Sequence, residues 1–472
     1  MNEERIFNYG YTNKEKKERG ARSPFQVDRD RIIHSSAFRR MRNKTQVFGV
    51  FTLDYYRTRL THSLEVSQIA RSIATILVDR YDIKIDRDVI EAISLAHDIG
   101  HPPFGHLGED IISQELKAIT RGKFGFEANA QNIRILNFLE KKFYDAADNK
   151  IYGLNPTLKT IDGILKYKLP YSLSDKTKHF IYDSDIFILE RLHGKKFVNF
   201  LKNNFELLNN PKNKKIKENF FQATRCLECQ ILNAADDIAY AAHDLEDGVE
   251  SKLIDINGHL KVKKYLEEDS SFSGGLDKMS EKIDNFFFNL KEIFKTETDE
   301  RNNNRIMYHV KVKTDLKEFF SRYISKFIMN IDIEKREKFF ADTKDNLIKN
   351  IPIDLGEDSY KYSLTWKNDV NIEINALKQI SYKLLMENRE ILLNRYKAEN
   401  IVRRLFQVFS DIKNINLYPD DFQEIFNFGF YNIFGEDGFY VMCADYISGM
   451  TDMYALKLYS SLFESKGFSE IS

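Results

Sequence analysis

A chain of 472 residues that is 42% hydrophobic and has only 8 prolines can bury a large core, and its well-mixed composition excludes intrinsic disorder. Lysine plus arginine and aspartate plus glutamate balance at 71 each, so no global field pulls the molecule onto nucleic acid or lipid, and any polyanion site has to be local. The N-terminus has no signal-peptide core and no apolar run reaches membrane-spanning length, which predicts a cytoplasmic protein with no membrane partner.

In chain order, the first strong element is RLTHSLEVSQIARSIATILVDRY, from residue 59, where Val66, Ile69, Ile73, Ile76 and Leu77 recur at helical spacing. The same period runs through RDVIEAISLAHDIGH, LGEDIISQELKAI, CLECQILNAADDIAYAAHDLEDGV, LKEFFSRYISKFIM, NREILLNRYKAENIVRRLFQVF and YISGMTDMYALKLYSSLF. Strict alternation is rare and short, so the chain is expected to be all-α. Between residues 251 and 345 the sequence becomes more charged, with an isolated FFFNL and an Asn-rich RNNNR, which predicts an inserted or peripheral subdomain. At most a short β-ribbon is expected, near RIMYHVKVKTDL. No Pro/Gly/Ser-rich linker interrupts the pattern, so one principal core with appendages is expected.

Four of the ten histidines, His62, His97, His101 and His106, fall in one short stretch. His97 and Asp98 sit near the end of a helix that breaks at Gly100 and meets Pro102 and Pro103, so both can turn toward one ion. Imidazole with carboxylate suits a divalent ion such as zinc, iron, manganese, cobalt or nickel. The lack of cysteine there favours an open catalytic site over a closed structural one. Elsewhere, Cys226 and Cys229 form a lone CxxC with no second ligand pair, which reads as helix packing. Further along the same helix, Asp236, Tyr240 and Asp244 lie four apart and share one face, flanked by Ala234, Ala235, Ile238, Ala239 and Ala242. Asp237 competes with Asp236 as a ligand.

His62, then His97 and Asp98, then a distant Asp236 resemble the quartet of the HD phosphohydrolase superfamily. More narrowly, SAFRRMRNKTQVF (36–48), HDIGHPPFGHLGED (97–110), ADDIAYAAHDLEDG (235–248) and DYISGMTDMYALKLY (445–459) resemble the bacterial dGTP triphosphohydrolases, relatives of the mammalian SAM-and-HD-domain dNTPase. The resemblance implies an HD-domain helical bundle with a peripheral helical subdomain. Residues 1–250 would form the catalytic core, 251–345 the charged unit, and 346–472 C-terminal helices that pack on the core and complete the nucleotide site. It further implies a divalent metal (magnesium, manganese, iron, nickel, cobalt or zinc) on His62, His97, Asp98 and Asp236, with His106 and Glu109 as the acid/base pair. Whether His106 activates water or protonates the leaving oxygen stays open. Arg59 and His101 would meet the phosphates, Lys166 and Tyr167 match a lysine-tyrosine pair, and Gln46, Tyr240 and Asp244 would bound the deoxyribose. Where many members have an arginine in TDxYA this chain has Met453 and lacks that cation; Arg395, Lys397, Arg403 and Arg404 of the neighbouring helix are alternatives for phosphate binding and read equally well as ordinary solvated residues.

The activity so implied is metal-dependent hydrolysis of a dNTP, dGTP favoured, to deoxynucleoside and tripolyphosphate. An HD-type nucleoside monophosphatase or phosphodiesterase is one alternative, and a nucleotide- or single-strand-binding regulator is another. The resemblance also implies a homo-oligomer, commonly a hexamer, and a dNTP activator. The basic clusters RRMRNK (39–44) and KNKKIK (212–217) are candidates for single-stranded nucleic acid, against the plainer reading as solvated helix faces.

Overall fold

The computed structural model describes residues 3–7, 20–46, 57–145, 150–268, 276–295, 305–343, 345–356, 358–367 and 369–464. Val47 and Phe48 of the motif at 36–48, and Asn302, Asn303 and Asn304 of RNNNR, lie outside them. The principal helices are α1 (Pro24–Ile33), α2 (Arg59–Tyr81), α3 (Arg87–Ala96), α4 (Gly105–Ile119), α5 (Ala128–Arg134), α6 (Leu158–Ile164), α7 (Leu227–Glu250), α8 (Leu276–Lys295), α9 (Arg305–Met329), α10 (Val370–Met386), α11 (Arg389–Phe409), α12 (Gly438–Gly449) and α13 (Asp452–Phe463). Among the described residues only two small antiparallel sheets occur, β1 (Phe143–Asp145) with β2 (Lys150–Tyr152), and β3 (Ile331–Lys335) with β4 (Tyr362–Trp366). The fold is all-α, and no helix among the described residues is long and apolar enough to cross a membrane.

The helix α2 starts where its sequence says it should. Thr58 caps it by accepting from the Thr61 amide, and Asp82 ends it in the left-handed region at φ 50°. Its apolar stripe, Val66, Ile69, Ile73 and Leu77, is buried against α3 and α7. The 24-residue helix α7 runs through the main core, touching α2, α9 and α10. That core also takes Phe286, Phe287, Phe320 and Phe327 from residues 251–345. A second core gathers Ile111, Ile112 and Leu116 of α4 with Leu405 and Phe406 of α11 and Met442 and Ile447 of α12.

The β-ribbon expected near 305–316 is helix instead. No Gly or Pro interrupts the chain from 305 to 329, and the buried Leu316, Phe319, Phe320 and Phe327 carry one helical stripe, so α9 absorbs the alternating MYHVKV. The ribbon lies just beyond it, where Ile331 pairs with Trp366 and Lys335 with Tyr362. Cys226 and Cys229 are buried, with Cys226 capping α7 at the Cys229 amide.

The turn after α3 is held from α5. Asn132 accepts from the Gly100 amide at 2.6 Å and donates to the His97 carbonyl. A Cβ at Gly100 would lie 2.3 Å from the Ala128 carbonyl oxygen and 2.5 Å from the Asn132 nitrogen, both backbone atoms that cannot step aside. Gly100→Ala is therefore expected to destabilise the protein by about 2 to 3 kcal/mol, read from the urea midpoint. An unchanged midpoint would show that this turn tolerates bulk.

Candidate active site

The end of α3, the first turn of α2 and the middle of α7 converge on one cluster. The Nε2 atoms of His62 and His97 lie 3.2 and 3.6 Å from Asp236 Oδ1, and His97 Nε2 lies 3.4 Å from Asp98 Oδ1. His97 Nδ1 donates to the Ser94 carbonyl at 2.7 Å, which leaves its Nε2 lone pair facing the cluster, buried and without a partner. Each carboxylate has one oxygen tied off by a cation: Arg59 reaches Asp98 Oδ2 at 2.7 Å and Lys166 reaches Asp236 Oδ2 at 2.9 Å. The other oxygen of each faces the imidazoles. Burial opposes ionisation of Asp98, but His101, His97 and Arg59 outweigh it and hold the carboxyl well below its ordinary range. Burial likewise opposes Asp236, and Lys166 with the two histidines again prevails. One ligand atom each from His62, His97 and Asp98 lies within 4.8 Å of the others, so the donor set fits a divalent cation.

Asp237, the competing ligand, points away and pairs with Lys378 at 2.5 Å. Adjacent residues on α7 diverge by about 100°, so only one of them can face the histidines.

Above the cluster opens a cavity of about 540 Å³. Its wall includes Gln46, Arg59, Asp98, His101, His106, Glu109, Lys166, Tyr167, Asp236 and Tyr240, while His62 and His97 are buried behind it. His106, its side chain 75% exposed, stands at the start of α4 with Nδ1 2.9 Å from Glu109 Oε2. The buried Glu109 also accepts from the Ala128 amide at 2.8 Å. Burial alone would raise its pKa; His106, His101 and that amide bring it down to about 2. Glu109 is thus an acceptor at neutral pH, so Nδ1 of His106 carries the hydrogen and Nε2 faces outward. His101, edge-on to His106 with centroids 5.2 Å apart, is pushed down to about 4 by burial and Arg59 and stays neutral.

The loop before α4 is clamped by the C-terminal helices. Buried Asp452, at the start of α13, accepts from the Phe104 amide at 2.9 Å and from the Thr45 amide and hydroxyl at 2.9 and 2.8 Å. Lys44 Nζ bridges the carbonyls of His101 at 2.5 Å and Ser448 at 2.8 Å. Lys44 is therefore buried inside the molecule, which corrects its place in the expected basic surface RRMRNK; Arg40 of that run pairs with Glu140. Gly105 adopts φ +61°, and a Cβ there would meet the Arg59 guanidinium at 2.8 Å. Helix α11 closes the far wall with Ile391, Asn394, Arg395 and Ala398.

Two residues sit apart from their expected neighbours. Asp244 is buried one turn beyond Tyr240 and does not line the cavity; burial and Asp247 raise it well above the carboxylate range, and its Oδ2 is unpartnered. Met453 is exposed on α13, and of the four basic residues weighed in its place only Arg395 lines the cavity. Arg403 pairs with Glu115 and Glu399, and Arg404 lies over the Phe463 ring. Sequence reasoning missed Glu127, Lys178, His179 and Lys378 on the wall. His179 stacks on Tyr167 at 4.2 Å, and Lys178 pairs with Asp110 at 2.8 Å. None of the four sits in a motif; the signal for Glu127 was an acidic residue just before a helical run.

Residues 59–151 match the HD domain, and residues 364–461 match the phosphohydrolase-associated domain. A deoxyguanosinetriphosphate triphosphohydrolase-like protein of Shewanella halifaxensis (strain HAW-EB4) is 33% identical over 479 residues, 95% of this chain and 94% of the relative. Proteins of the same name from Shewanella sediminis (strain HAW-EB3) and Bartonella quintana (strain Toulouse) are 33% and 32% identical, covering 98% and 94% of this chain and 96% and 90% of their own length. HD domains are metal-dependent phosphohydrolases, and the His and Asp groups here are of a kind that binds metal. With agreement from end to end at this identity, the chain belongs to the HD-domain deoxyguanosinetriphosphate triphosphohydrolase-like family and is a phosphohydrolase.

Proposed function

We propose that this protein hydrolyses deoxynucleoside triphosphates, dGTP favoured, to deoxynucleoside and tripolyphosphate. The observation that carries the reading is one continuous cavity whose wall joins Asp98 and Asp236, the His106 and Glu109 pair, and Tyr240 with Gln46. His62, His97, Asp98 and Asp236 hold the divalent ion, with magnesium, manganese, iron, nickel, cobalt or zinc as candidates. When bound, it supplies Lewis-acid charge beside the phosphate.

The chain's own residues do the rest. Arg59, His101 and Lys166 meet the phosphates from the wall, with Arg395 on the same wall. Water attacks the α-phosphorus, the bond to the 5′-oxygen breaks, and that oxygen needs a proton. His106 Nε2 exchanges the proton with the attacking water or the leaving 5′-oxygen, while Glu109 fixes the ring and stabilises its charged form. Tyr240 lies against the deoxyribose and Gln46 meets it from the same wall, while Tyr167 stands with Lys166 on the phosphate side. A 2′-hydroxyl there is left unpaired, at a cost of about 1 to 3 kcal/mol.

On the same reading the protein is cytoplasmic and a homo-oligomer, hexameric as a first expectation, responsive to a dNTP activator. Any contact with single-stranded nucleic acid falls to Arg39 and Arg42 of the first basic run and Lys212, Lys214 and Lys215 of the second, which are exposed. The deciding experiment incubates the protein with each of the four dNTPs and with GTP, in magnesium or manganese, and separates the products by ion exchange. Tripolyphosphate with deoxynucleoside is expected, with dGTP cleaved fastest and GTP resisted. Pyrophosphate or orthophosphate as the primary product, or no product, overturns the reading.

A further inference from the structure

The acid/base pair is not held by its own helix alone. Glu109 presents one oxygen to His106 Nδ1 at 2.9 Å and the other to the Ala128 amide at 2.8 Å, the first amide of α5. What places that amide is Glu127, buried on the cavity wall just before α5. Its Oε2 accepts from the Ala130 amide at 2.8 Å and its Oε1 from the Asn129 side chain at 2.7 Å. The same short helix carries Asn132, whose amide group grips both Gly100 and His97. Two buried glutamates therefore stand side by side, and Glu109 has His106, His101 and a backbone amide to favour its charge.

We propose that Glu127 is a positioning residue for the proton-transferring pair: by capping α5 it sets the Ala128 amide on Glu109, and through Glu109 it fixes the ring of His106. This rests on the reading of His106 as the group that moves the proton. Glu127 does its work as a neutral acid. Burial, and then the charge of Glu109, push it up to about 8, while the bonds from Asn129 and Ala130 pull the other way. The other groups facing it are Tyr167, Tyr182 and Lys178, the last engaged by Asp110. As pH rises through 8, Glu127 ionises beside Glu109; the cap keeps its acceptors, but the repulsion between the two carboxylates displaces Glu109 and slackens its hold on His106.

Two variants and two readouts test this. Glu127→Gln cannot ionise but turns an NH2 toward one of its two donors, so it should lower kcat at pH 7 by less than about tenfold and lack the wild-type fall above about pH 8. Glu127→Ala should lower kcat by about 10- to 100-fold with KM within about twofold, the size of effect seen when an orienting neighbour of an active group is removed. Histidine labelled at Cε1 should show, by NMR, an inflection near pH 8 in the His106 resonance of the wild type that is missing from Glu127→Gln. Superimposable pH profiles for wild type and Glu127→Gln overturn the proposal, as does a full kcat in Glu127→Ala. If Glu127→Ala does not fold, Glu127→Gln decides alone. Absence of tripolyphosphate from the wild type sinks the proposed reaction instead, and the NMR titration still reports on Glu127.

Discussion

Replacing His97 with alanine is expected to strip the protein of its metal and lower its activity by at least about 10³-fold, with the fold retained. The imidazole sits at the centre of the cluster: its Nε2 lies within 3.6 Å of carboxylate oxygens from both Asp98 and Asp236 and has no other partner. Its Nδ1 is committed to the Ser94 carbonyl, so the ring cannot be spared for another role. Losing it leaves two carboxylates, each already bound to a cation, and one imidazole, too few donors of the right softness for a transition metal. Metal content by atomic emission and kcat should fall together. Wild-type metal content in the variant would place the ion elsewhere.

His106→Ala should behave differently: kcat drops by about 10²- to 10⁴-fold while metal content holds and the protein still folds. The side chain is 75% exposed and makes one bond, to Glu109, so its removal leaves no cavity. It does leave Glu109 buried without its best partner. Glu109 is depressed from 4.5 to about 2 in the folded protein, so its stabilising charge is complete above pH 4.5 and is lost as pH falls through 2. His106→Ala should narrow that window, shifting acid unfolding to higher pH. A loss of metal along with activity would make His106 a ligand and not a proton carrier.

The positions of α2, α3, α4, α7, α11 and α13 were legible from apolar spacing, because each buries one face and so repeats every three to four residues. The quartet was legible for a different reason, since metal chemistry restricts the residue types and the HD motif brings two ligands side by side. Glu127 was not legible. A glutamate before a short helix is ordinary, and its importance comes from lying next to Glu109, which is distant in the chain and adjacent only through packing. Lys44 was misread for the same reason: a lysine in a run of arginines looks solvated until Asp452 and Ser448 close over it from the other end of the chain. The ribbon was misplaced because alternation over six residues is a local signal, and a 25-residue helix with a buried aromatic stripe outweighs it.

By itself, then, the sequence determined the helical class, the family, and which side chains have the chemistry to hold a metal. Periodicity and residue type are local properties, and both survive in one dimension. Only the tertiary structure turned Asp236 and not Asp237 toward the histidines, set Asp244 behind the cavity wall, turned Arg59 and Lys166 onto the two carboxylates, and made α13 the clamp on the loop before His106. Those outcomes depend on which charges end up together out of water, where an ion pair or an unpaired carboxylate weighs far more than on the surface, and no stretch of sequence carries that information alone.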